Sequence, residues 1–113
     1  MTPLPRFPDQ TAALDYEIAQ EKAAALGRLG RGLERALEKL RDFDAASPRA
    51  AQAERRHRAE LVAAAGHALW LFLVQREACG LRDSRAVMRD YQVPSEVQGR
   101  AGAFPASKSA GAR

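Results

Sequence analysis

The stretch Leu61–Val74, LVAAAGHALWLFLV, decides how this chain folds. Only Gly66 and His67 interrupt it, and Ala68–Val74 is apolar at every position. On a helix such a run is apolar all the way round, so one neighbouring helix leaves part of it uncovered. A bilayer span takes about 20 apolar residues, whereas a run of roughly 10–14 belongs to a buried core helix. The run therefore predicts a helical core with more than one neighbour. Its expected core or interface residues are Leu61, Ala68, Leu69, Trp70, Leu71, Phe72, Leu73 and Val74.

The apolar spacing upstream supplies the first neighbour. Leu26, Leu29, Leu33, Ala36, Leu40 and Phe43 follow a 3-4-3-4-3 rhythm, a coiled-coil-like seam that packs against another helix at a shallow angle. Before it the seam shifts to Leu14, Ile18, Lys22 and Ala25, a stutter that breaks a single straight coiled coil. The spacing predicts a first helix over 11–43. Gly27, Gly30 and Gly32 fall inside it, each costing about 1 kcal/mol relative to alanine. Either the helix bends there, or Ala19, Ala23, Gly27 and Gly30 form a small-residue face that a bulky partner approaches. The unbroken rhythm through Leu33 favours the second.

Asp44–Pro48 is a turn signal, with Ser47 as cap and Pro48 at the first helical position, where its missing N–H costs nothing. A second helix is predicted over 48–79, stopped by Gly80. Two long helices joined this closely form an antiparallel hairpin. With residues 43 and 48 level, Trp70 falls opposite Glu21, Gly66 opposite Ala25 and Leu61 opposite Gly30. Tyr16, Glu17 and Glu21 then lie near Trp70, Gln75 and Arg76, where Glu17 or Glu21 pairs with Arg76. Short helices follow over 84–91, capped by Asp83 or Ser84, and 95–100, with Gln92-Val93-Pro94 between them.

The expected fold is all-α: a long antiparallel hairpin plus two short C-terminal helices, completed as a dimeric four-helix-bundle-like assembly. One helical domain over 11–101 lies between disordered tails at 1–10 and 102–113, which carry too little apolar surface to offset their ordering entropy. Roughly 90 residues is a size at which a second copy often completes a core. The 113 residues carry a net charge of +4, a weak pointer to nucleic acid when spread over a helical surface. The single cysteine, Cys79, has no internal disulfide partner. With no signal-peptide pattern and no membrane span, the expected location is cytoplasmic.

Few residues offer chemistry. Glu54 and His57 have the Glu-x-x-His spacing of four-helix di-metal proteins, with Glu34 roughly opposite, but Arg55, Arg56 and Arg58 oppose a dication. Ordinary helix-end contacts are the simpler reading. His67 reads as a core or interface histidine, and Cys79 at a helix C-terminus lacks the field that activates a thiol. The two short helices resemble a helix-turn-helix in outline, with Arg85, Arg89 and Arg100 as nucleic-acid candidates, yet a two-turn recognition helix has few residues for base edges. A lid on the bundle is the simpler reading. No catalytic set emerges, and no cofactor or resident metal is expected.

Three stretches, DYEIAQEKAAALGRLG (Asp15–Gly30), LWLFLVQREACGLRD (Leu69–Asp83) and YQVPSEV (Tyr91–Val97), resemble a small uncharacterised family of bacterial all-helical proteins. The resemblance implies one compact helical domain and transfers no activity, cofactor or functional residue. The expected function is a non-enzymatic protein–protein interaction or scaffold role, as a homodimer and with a further protein partner. A nucleic-acid-binding regulator and a di-metal protein are the alternatives.

Overall fold

The computed structural model describes residues 6–49 and 51–102, with side chains from Gln10 onward. Among them stand four helices, α1 (Arg6–Ala46), α2 (Gln52–Ala78), α3 (Ser84–Asp90) and α4 (Ser95–Arg100), and no strand. The fold is the all-α hairpin with two short helices that the spacing predicts. The expected tails fall largely outside the described residues. Helix α1, however, begins at Arg6 rather than near Thr11. Pro8 is no obstacle there, because the first four N–H groups of a helix have no partner within it.

The turn differs from the sequence reading. Helix α1 continues through Ala46, and the Ser47 N–H still donates to the Phe43 carbonyl at 2.8 Å. Ser47 and Pro48 therefore do not start the second helix. It starts at Gln52, where the Glu54 carboxylate accepts the Ala51 N–H at 2.6 Å. The later turn and start signals act as their chemistry dictates. Gly80 takes φ +85° just after the end of α2, and the Asp83 side chain accepts the Arg85 N–H at 3.2 Å.

Moving the turn changes the hairpin's register. Phe72 meets α1 at Gly30, and the Gln75 amide donates to the Lys22 carbonyl at 3.1 Å. Trp70 is not opposite Glu21; it lies against Gly102. Gly66 is not opposite Ala25, since Arg100 of α4 covers it. The proposed ion pair of Glu17 or Glu21 with Arg76 does not form either. Arg76 donates to the Asp83 carbonyl at 3.2 Å and sits 5.9 Å from the centre of the Phe72 ring.

The core runs along one face of α1 (Leu33, Leu37, Leu40) and one face of α2 (Val62, Ala65, Leu69, Phe72). Val87, Val93 and Val97 close it from the C-terminal segment. Burying each leucine fully stabilises the fold by about 1.5–3 kcal/mol. Of the small residues expected to admit a bulky partner, Gly30 does so. An added Cβ there would lie 3.1 Å from the Tyr91 oxygen and 3.2 Å from Phe72 Cε1. Ala19 and Ala23 are exposed, and Gly27 has only the Arg31 side chain nearby. Helix α1 passes all three glycines uninterrupted.

Helices α3 and α4 cover one open side of α2. Tyr91, just after α3, sets its ring edge-to-face on Phe72 at 5.4 Å. One guanidinium ties the ends of the fold together: Arg58 of α2 donates to Asp44 of α1 (2.6 and 3.0 Å) and to Glu96 of α4 (3.0 and 2.6 Å). Both carboxyls are thereby held below their usual range, the hydrogen bonds from Arg58 being the main cause.

Candidate functional site

Helix α2 has three faces, and they meet different surroundings. Phe72, Gln75 and Cys79 meet α1, while Val62, Gly66 and Trp70 border the segment of α4 and Gly102. At 3.6 residues per turn the remaining face carries Ala64, His67, Leu71, Val74 and Ala78. Their 3-4-3-4 spacing is that of a packing seam, yet none of the five is buried. This is the uncovered side of the apolar run. Of the expected core residues, Leu69 and Phe72 are buried, and Leu61, Ala68, Leu71 and Leu73 are half-buried. Trp70 and Val74 are instead 39 % and 45 % exposed.

The first half of α1 lies bare beyond the end of α2. Cys79, at the end of α2, approaches the Lys22 carbonyl at 3.9 Å, so residues 6–21 overhang the hairpin by roughly 24 Å. Every residue from Gln10 to Ala24 is exposed, including Leu14 (57 %), Tyr16 (64 %) and Ile18 (47 %). A groove of about 490 Å³ runs where this arm leaves α2, lined by Leu14, Glu17, Ile18, Glu21, Lys22, Ala25 and Gln75. Glu17, Glu21 and Gln75 do come together as the sequence suggested, but around an open groove. Leu14, Ile18 and Ala25 share one helical stripe. That stripe and the α2 seam open on the side of the hairpin away from Tyr91 and α4.

The other candidates are dispersed. Glu54 caps the α2 backbone, and His57 is exposed, 3.5 Å from Glu60 and edge-to-face with Phe43 at 5.6 Å. His57 thus points away from the core. Glu34 acts on Tyr91, whose phenol is pushed up by burial first and by that carboxylate second. The structure does not bring Glu34, Glu54 and His57 together, and among the described residues no group of three His, Cys, Asp or Glu could hold a metal ion. His67 is exposed rather than in the core of the single chain. Arg89 lies 3.8 Å from Asp90, and Arg85 is in the first turn of α3. Helix α4 has six residues, of which Val97 is fully buried against the hairpin and the others are exposed. No helix among the described residues is long and apolar enough to cross a membrane.

A family model, described as a family of unknown function (DUF6665), matches residues 4–109. The chain belongs to DUF6665. The match spans both arms of the hairpin and the two short helices, so the DUF6665 region includes the bare arm and the open seam along with the packed core. No curated protein and no solved structure matches this DUF6665 chain.

Proposed function

We propose that this protein is a non-enzymatic helical interaction module that works as a homodimer, two hairpins joining across their open sides into a four-helix bundle. The observation that carries the reading is the arm. A lone helical segment of about 16 residues is marginal in water, and tertiary packing of an amphipathic face normally supplies its stability. Here that face is Leu14, Ile18 and Ala25, which line an open groove with Gln75, and the α2 seam of Ala64, Leu71, Val74 and Ala78 is likewise not buried.

Charge favours a second copy as the occupant. Residues 10–24 carry Asp15, Glu17 and Glu21 against Lys22, a net −2. Residues 49–60 carry Arg49, Arg55, Arg56 and Arg58 against Glu54 and Glu60, a net +2. An antiparallel pair sets the acidic arm of one copy toward the basic turn end of the other, twice by symmetry. A shared bundle surface of this kind suits a scaffold for further protein partners.

The test is mass from light scattering after size exclusion at micromolar concentration. The expected species is a dimer that I18E and V74E each convert to a folded monomer. A wild-type monomer throughout the micromolar range contradicts the homodimer.

A further inference from the structure

A symmetric antiparallel pair of hairpins leaves one thing to be fixed: where along α2 the two-fold axis crosses. Given the homodimer reading above, on which this inference rests, two separate features of the chain fix it. The first is the seam. Ala64, His67, Leu71, Val74 and Ala78 are centred on Leu71, with an alanine at each end. An axis at Leu71 sets each Ala64 level with the partner's Ala78 and gathers the larger apolar side chains at the middle. Sliding the axis by one heptad sets Val74 level with the partner's Glu54, or carries Ala64 past the end of the partner's α2.

The second feature is length. Helix α1 has 41 residues and α2 has 27, and the excess of α1 lies in the arm. The midpoint of Arg6–Ala46 is Leu26. Gln75 and Cys79 both approach the Lys22 carbonyl, so Leu26, about one turn further along the antiparallel hairpin, is level with Leu71–Gln75. An axis at that level makes the two α1 helices flush, and each arm ends beside the partner's turn. Seam and length thus give the same place to within about one turn of α2.

We infer that the two-fold axis of the dimer crosses α2 between Leu71 and Val74, level with Leu26 of α1. Each arm then lies along the first turns of the partner's α2, where residues 52–59 are exposed except for half-buried Arg58. The acidic arm of one copy and the basic turn end of the other overlap in this register, so charge supports it as well.

The test is pulsed electron paramagnetic resonance between spin labels on the full chain carrying C79S, with one labelled cysteine per copy. The sites are T11C, A53C and A78C, all at exposed positions, and light scattering gives the mass of each labelled chain. Every residue away from the axis adds about 3 Å to the separation of a symmetric pair of labels. The expected separations are therefore about 20 Å for A78C, about 45 Å for T11C and about 60 Å for A53C. A slide of one heptad changes each by roughly 20 Å, and a parallel pair gives short separations at all three sites. A dimer with either of those patterns overturns the register and leaves the homodimer standing. A chain that is monomeric by light scattering and shows no distance between copies overturns the homodimer itself, and the register with it.

Discussion

The two halves of α1 are built from similar residues and meet opposite surroundings. From Leu26 to Phe43 its apolar positions face α2, and Leu33, Leu37 and Leu40 are all but completely buried. From Gln10 to Ala24 nothing is buried, although Leu14 and Ile18 keep helical spacing. The difference is simply where α2 ends. A leucine on this helix contributes to the fold of the single chain only where a second helix runs alongside it, and the half without one must find its partner elsewhere.

The comparison breaks most sharply at the leucines. In dilute single-chain conditions, Leu33→Ala should cost about 2–5 kcal/mol, through lost transfer energy and the cavity left behind. Leu14→Ala on the bare half should stay within about 0.5 kcal/mol. Urea unfolding of both variants reads the contrast directly, and equal costs would mean that the arm is packed against the same chain.

The glycines sharpen it further. At Gly30 a methyl would press on Phe72 and the Tyr91 oxygen, so Gly30→Ala should destabilise by about 1–3 kcal/mol. At Gly27 the nearest neighbour is the mobile end of Arg31, 3.4 Å away. Gly27→Ala should therefore stabilise by up to about 1 kcal/mol, the ordinary gain in helix propensity. Thermal melts of opposite sign are the expected result.

A smaller effect concerns the Arg58 pin, which holds the far end of the packed half. Its carboxylate partners are nearly half-exposed, so Arg58→Ala should cost on the order of 1 kcal/mol, the upper end for accessible ion pairs. Asp44 and Glu96 have folded pKa values below their unfolded ones. Their contribution is thus fully present above about pH 4–5 and fades as the pH falls through the lower, folded values. Melting temperature followed from pH 6 down to pH 3 should drop for the wild type, and part of that drop should vanish in the Arg58→Ala chain.

Much of this fold was legible because helix signals are local. The heptad rhythm, the Gly80 stop, the Asp83 cap and the short helices near 84–91 and 95–100 all follow from residues within a few positions of one another. The hairpin register did not follow, because the turn lies four residues later than Ser47-Pro48 suggests, and a shifted turn moves every cross-helix pair. Which side α4 covers was equally hidden. Arg58 reaches Asp44 and Glu96 across 14 and 38 residues, and Gly66 makes room for Arg100 in a distant helix. The candidate surface was half visible: the apolar run announced an uncovered face, while the bare arm appears only once the end of α2 is located against Lys22.

Amide hydrogen exchange of residues 10–22, measured across a range of protein concentrations, tests the central claim most directly. If a second copy covers the arm, protection there rises with concentration and does so together with protection at Leu71 and Val74, while the amides around Leu37 remain protected throughout. Arm amides that exchange at the same rate at every concentration would contradict it.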